Sequence, residues 1–178
     1  GFILGDAPGW RVPRGGRVRT MAETNSGKGA RIAFLFPGQG SQYLGMGKNF
    51  CESFPLAREI YERASRILGW DVAAMSFEGP REKLTQTQHT QPAILVHSHV
   101  ACRLLEEKGI RPAIALGHSL GEYSALVAAG AVDFETALRL VQARGQFMGE
   151  AVPAGEGAMA ALLGTEREGA EALCHEVE

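Results

Sequence analysis

The sequence has little cysteine, no long apolar run and no surplus of positive charge, and each shortage closes off a class of function. Its three cysteines, Cys51, Cys102 and Cys174, are far apart and form no C-x-x-C pair. A disulfide framework is therefore not expected, and the reduced thiols of a cytoplasmic protein fit better. No apolar stretch reaches the length that spans a bilayer, and the start lacks the apolar segment of a secretory signal, so no membrane role is expected. The formal net charge is -2, whereas a dedicated nucleic-acid binder carries a basic excess. Nucleic acid is excluded as a partner on that ground.

The chain of 178 residues suits one globular domain or slightly more. Its charge is uneven. Residues 1–30 carry five basic side chains (Arg11, Arg14, Arg17, Arg19 and Lys28) against Asp6 and Glu23, for +3, which leaves -5 on the remainder. This first segment is rich in Gly, Arg and Pro, lacks periodicity and reads as a disordered or non-native extension. Met21 reads as the natural start, with an organellar transit peptide as the alternative.

Ordered sequence is expected from Arg31. The run 31–36 is short and apolar and predicts a buried strand. A glycine-rich loop follows to Gly47. Ser53 then predicts the cap of a helix with Pro55 in its first turn, an apolar stripe of Leu56, Ile60, Ala64 and Ile67, and a stop at Gly69. Residues 71–90 read as short helical pieces and loops. Pro92 predicts the opening of a long helix that stops at Gly109. A strand at 114–116 runs into Gly117, with a helix from just after Ser119 to Ala129-Gly130. Asp133 caps another helix, to about Gly149. After a linker at 153–157, a strand at 158–163 and a helix capped by Thr165 and Glu168 are expected. Strands alternating with helices imply an α/β fold around a parallel sheet.

Gly117-His118-Ser119-Leu120-Gly121 carries the chemistry. A G-x-S-x-G turn between a strand and a helix lifts the serine hydroxyl clear of the backbone, and its glycines remove side chains that would clash. It also places helix N-terminal N–H groups beside the serine, where they can hold an oxyanion; Leu120 N–H is the first candidate. The bland alternative is a serine-capped helix after a tight turn. A serine needs a base, and the sequence offers none within obvious reach. His118 is adjacent on a sharp turn and points elsewhere. His97 and His99 face different directions on one helix and cannot share a metal, His89 falls in a polar loop, and His175 is an ordinary helix residue. No metal site and no cofactor are expected.

Two further features accompany the elbow. The loop Gly38-Gln39-Gly40-Ser41-Gln42 is neither a dinucleotide fingerprint, because Tyr43 stands where glycine is required, nor a P-loop, which needs G-K-[ST]. It is a turn after a first strand, the place from which a second oxyanion donor comes in hydrolase-like folds. Arg144 shares a helical face with Ala137, Val141 and Met148, so a permanent cation lies in an apolar stripe. Either it snorkels, or its partner is a substrate carboxylate held bidentately.

Three motifs in order, Phe36-Pro37-Gly38-Gln39-Gly40-Ser41-Gln42, Thr90-Gln91-Pro92-Ala93 and Gly117 to Ala125, resemble the malonyl-CoA:acyl carrier protein transacylase family. The similarity extends through Arg144-Gly145-Gln146-Phe147-Met148 and residues 157–161. The resemblance implies an α/β-hydrolase-like core over 31–153 and the beginning of an inserted ferredoxin-like small subdomain over 154–178. It implies a ping-pong transfer in which Ser119 takes a malonyl group from malonyl-CoA and passes it to the phosphopantetheine thiol of acyl carrier protein. Backbone N–H groups of Gln39 and Leu120 would hold the oxyanion, Arg144 would pair with the free carboxylate, and Gln91 would line the pocket. In the family the activating histidine lies in a later Ser-His segment that this sequence does not contain. The chain therefore reads as an N-terminal portion with impaired activity. An acyltransferase domain of a polyketide synthase and a non-catalytic fragment that binds acyl chains or carrier are the alternatives.

Overall fold

A computed structural model describes residues 31–151 and 164–176. The extension 1–30, the linker at 153–157 and the strand expected at 158–163 lie outside them. The order is β1 (Ala33–Phe36), α1 (Lys48–Ser53), α2 (Pro55–Leu68), α3 (Val72–Phe77), α4 (Arg81–Leu84), α5 (Thr87–Glu107), β2 (Ile114–Gly117), α6 (Gly121–Ala128), α7 (Phe134–Ala151) and α8 (Arg167–Glu176). β1 and β2 pair in parallel, with Ala33 opposite Ile114 and Phe36 opposite Gly117. The fold is mixed α/β with a small parallel sheet.

The core lies among the helices. α2 buries Ala57, Ile60, Tyr61, Ala64 and Leu68, at the spacing of one helical face. α5 adds Ala93, Val96 and Val100, and α7 adds Ala137, Leu138 and Val141. Small residues at these contacts let the three helices approach closely. Tyr61 is buried with its hydroxyl donating to the Met46 carbonyl at 3.0 Å, which meets the cost of carrying a polar group inside.

Several expectations need correction. The first strand is not buried: Leu35 is 73% exposed and only Phe36 is buried. In-register pairing puts Ala33, Leu35, Ile114 and Leu116 on one face, and α6 packs on this two-stranded sheet without covering those residues. Ser53 ends α1 instead of capping α2, whose N-cap is Phe54. Ile60 and Ala64 of the expected α2 stripe are buried, joined by Ala57, Tyr61 and Leu68, while Leu56 and Ile67 are half-buried at its margin. α5 begins five residues before Pro92, at Thr87, so Pro92 forgoes one hydrogen bond in the second turn. His89 consequently lies in that helix and not in a loop. α8 begins one residue later than the Thr165–Glu168 pattern predicts. The other stops agree: Gly69, Gly109 and Gly130 all adopt positive φ, and Asp133 accepts from the Thr136 N–H at 2.9 Å.

Candidate active site

The elbow forms because two glycines accept contacts that no side chain could. A Cβ on Gly117 would stand 2.0 Å from the Gly121 carbonyl carbon, and one on Gly121 would stand 2.1 Å from the Phe36 carbonyl oxygen. The chain thus turns from β2 into α6 directly against the end of β1. His118 N–H donates to the Phe36 carbonyl at 3.1 Å and its own carbonyl accepts from Gly121 at 2.9 Å. Between them Ser119 has φ 52, the only positive value at a non-glycine among the described residues. Such strain is held only where the surroundings over-determine it, and here it leaves Ser119 exposed.

The neighbouring donors are free to serve a ligand. Neither Leu120 N–H nor Gln39 N–H is taken by an acceptor among the described residues. Leu120 is itself fully buried, which seats the start of α6. Gly38 lies against the elbow, since a Cβ there would stand 2.7 Å from the His118 carbonyl oxygen. The loop after β1 and the turn after β2 therefore meet, as pairing of the two strands requires.

Arg144 crosses from α7 to the serine. Its Nη2 donates to Ser119 Oγ at 3.1 Å and its Nη1 donates to Gln91 Oε1 at 2.7 Å. The guanidinium carbon is 6.0 Å from the centre of the Tyr123 ring. Along α7, Ala137 and Val141 are buried, Arg144 is half-buried and Met148 is exposed, so the stripe leaves the core just where the cation begins. Gln91 is fully buried. It also donates from Nε2 to Gln39 Oε1 at 3.5 Å and to Met148 Sδ at 3.3 Å. The five residues picked out by sequence, Ser119, Leu120, Gln39, Arg144 and Gln91, thus belong to one cluster, although they come from four separate segments. Sequence reasoning missed Thr87, whose hydroxyl accepts from Gln39 Nε2 at 3.1 Å. A lone threonine at a helix start gives no signal of such a partner.

No base reaches Ser119 among the described residues. His97 stacks on Phe50 at 5.5 Å and His99 on Phe134 at 4.2 Å, while His89 meets the Trp70 ring edge-on. Burial lowers the pKa of all three, and Arg103 and Arg63 help hold His99 at about 4. They are structural rings. Among the described residues no group of three or more His, Cys, Asp or Glu side chains could hold a metal. Two cavities, of about 410 Å³ beside His99 and about 730 Å³ beside Trp70, include none of the cluster residues. The larger one sets Cys51 beside Arg58, but burial raises the thiol's pKa, so Ser119, exposed beside Arg144 and two unclaimed N–H groups, is the stronger candidate.

Residues 33–177 match the family model for the acyl transferase domain. A malonyl CoA-acyl carrier protein transacylase from Bacillus subtilis is 52% identical over 139 residues, covering 78% of this chain and 44% of that protein. The solved acyl carrier protein S-malonyltransferase from Vibrio cholerae superposes with a TM-score of 0.76 at 46% identity, over 83% of this chain and 48% of that one. A malonyl transacylase solved in complex with a type II polyketide synthase acyl carrier protein gives 0.77 at 47% identity, over 83% and 48%. The chain spans about half the length of the relatives it matches.

Proposed function

The chain belongs to the acyl transferase family, and from that premise we propose that it carries the nucleophile half of a malonyl-CoA:acyl carrier protein transacylase of fatty acid biosynthesis. Ser119 attacks the malonyl thioester of coenzyme A, and coenzyme A leaves as its thiol. The phosphopantetheine thiol of an acyl carrier protein then attacks the resulting seryl ester, taking the malonyl group as a thioester and returning Ser119 to its hydroxyl. The N–H groups of Leu120 and Gln39 receive the developing oxyanion, and Arg144 receives the free carboxylate. Malonyl-CoA is a substrate here, and the chemistry calls for no cofactor. The single observation that carries the reading is the Arg144–Ser119 hydrogen bond: a permanent cation within one bond of the nucleophile suits an acyl group that bears its own anion.

The same reading extends to the finer fold. A parallel β1–β2 pair with the serine turn after β2 and α6 behind it suits an α/β-hydrolase-like core over 31–153, with residues 154–178 opening a ferredoxin-like subdomain. The free thiols at Cys51, Cys102 and Cys174 suit a reducing, cytoplasmic setting. The complex with a polyketide carrier favours one second reading, in which the carrier belongs to polyketide synthesis.

The test is incubation with radiolabelled malonyl-CoA, acid quench and peptide mapping. A malonyl adduct on Ser119, forming slowly because no base among the described residues stands beside the hydroxyl, and absent from Ser119→Ala, supports the reading. Binding of malonyl-CoA without an adduct, or an adduct at another residue, overturns it.

A further inference from the structure

The hydrogen bonds of the site run on beyond Gln91, and they run in one direction. Arg144 has no acceptor atom, so it must donate, and it takes Gln91 Oε1 at 2.7 Å. That orients the buried Gln91 amide with its NH2 toward Gln39, whose Oε1 accepts at 3.5 Å. Gln39 is left with its own NH2, which donates to Thr87 Oγ1 at 3.1 Å. Each group donates to the next, and the threonine hydroxyl is the terminal acceptor. The chain joins the carboxylate receptor to the loop that carries the Gln39 N–H.

A second contact meets the same place. A Cβ on Gly145 would stand 2.8 Å from Gln88 Cα and 2.9 Å from the Thr87 carbonyl oxygen. α7 therefore lies on the first turn of α5 backbone to backbone, one residue from Arg144. The loop is tied at its base, where Ser41 Oγ donates to the Gly38 carbonyl and Gly40 N–H donates to Gln42 Oε1, both at 2.8 Å, but Gln39 itself is exposed and glycines flank it on both sides, with Gly40 at φ 106.

We propose that the first turn of α5 is the common abutment of the two halves of the site, with Thr87 positioning Gln39 and its oxyanion N–H, and Gly145 setting the reach of Arg144. This deepens the transacylase reading and rests on it for the kinetic readouts. Thr87 touches no reacting atom and acts only through Gln39.

The test compares Thr87→Val, Thr87→Ser and Gly145→Ala with the unaltered chain. Single-turnover acylation of Ser119 by malonyl-CoA and by acetyl-CoA is followed by intact mass. Thr87→Val is expected to lower the maximal rate about tenfold or more with both substrates, the scale of a small misplacement of a reacting group, without raising the half-saturating concentration. Thr87→Ser restores it. Gly145→Ala raises the half-saturating concentration for malonyl-CoA and leaves that for acetyl-CoA unchanged. Side-chain amide NMR of Gln39 gives a readout that needs no turnover: its resonances move in Thr87→Val and hold in Thr87→Ser. Unmoved Gln39 amide signals in Thr87→Val, equal rates in the valine and serine variants, or an equal effect of Gly145→Ala on both substrates each overturn the proposal. Should the unaltered chain form no adduct, the transacylase reading falls and the Gln39 amide still decides this one. Should Gly145→Ala fail to fold, the Thr87 pair decides it.

Discussion

Replacing His99 with phenylalanine should make the protein more resistant to acid. The His99 ring lies flat on Phe134, 4.2 Å away and 12° from parallel. Burial, with help from the Arg103 and Arg63 guanidinium groups, lowers its pKa from 6.5 to about 4. The sign follows from the proton count. Between pH 6.5 and 4 the unfolded chain holds a proton on this ring and the folded chain does not, so stability rises with pH across that window. It is fully present above pH 6.5 and is lost as pH falls toward 4. Over the fall from pH 7.5 to 4.5 this group alone costs about 2.5 kcal/mol by linkage. Phenylalanine keeps the stack and has no proton to take up. Urea titrations followed by circular dichroism at the two pH values, at constant ionic strength, measure the difference. His89 and His97 also resist protonation, but they remain in both proteins and cancel. The unaltered chain should therefore lose about 1 M more in urea midpoint than His99→Phe, for an m-value of about 2 kcal/mol/M. Equal losses in the two proteins would refute the reasoning.

Other perturbations follow from the same geometry. Arg144→Ala should slow acylation by malonyl-CoA by about 100-fold, since a charge pair at about 4 Å near a protein surface is worth about 4 kcal/mol before its desolvation cost. Acetyl-CoA, which has no carboxylate, should slow much less in the same single-turnover assay, by only what loss of the Arg144 hydrogen bonds to Ser119 and Gln91 costs. Gly121→Ala should destabilise the fold by about 3 kcal/mol, read as a lower melting temperature, because its Cβ meets the backbone of Phe36 and neither strand end can give way. Asp133→Ala should lower the melting temperature at neutral pH by removing the α7 cap. Hydrogen bonds from the Thr136 hydroxyl and N–H hold the Asp133 carboxyl below its ordinary pKa. Its contribution is therefore present above the unfolded value and fades as pH falls through the folded one, so melting curves of the two proteins should converge in acid.

The helices were legible where a local rule decides them. Gly69, Gly109 and Gly130 stop their helices because a left-handed residue suits glycine, and Asp133 caps because its carboxylate reaches an N–H three residues on. The misreadings share a cause. Pro92 looks like a helix start when only its own turn is considered. Yet Thr90, Gln91 and Pro92 are all buried, and tertiary packing carries α5 back to Thr87 at the loss of one backbone bond. In α2, Ile60 and Ala64 are buried as expected but Leu56 and Ile67 fall at the margin, because spacing gives the period of a face but not which neighbour covers it. β1 reads as buried from its composition, yet exposure depends on what lies across the sheet, which the apolar run itself does not encode.

The site shows the same division more sharply. The elbow can be read from five letters because its requirements are backbone requirements: glycine where a Cβ would strike Gly121 or Phe36, and a residue able to bear φ 52. Arg144 could be singled out by its conflict with an apolar stripe, but its partner could not. Gln91 lies 53 residues away, and nothing local in either helix points to the other. Thr87 was invisible for a stronger reason. Its partner Gln39 is 48 residues distant, and the bond forms only because Gln91 has already used its carbonyl oxygen on Arg144 and leaves Gln39 its amide nitrogen to dispose of. The polarity of that chain is set at one end by a guanidinium that can only donate. Reading it requires all four groups at once, and only the fold brings them together.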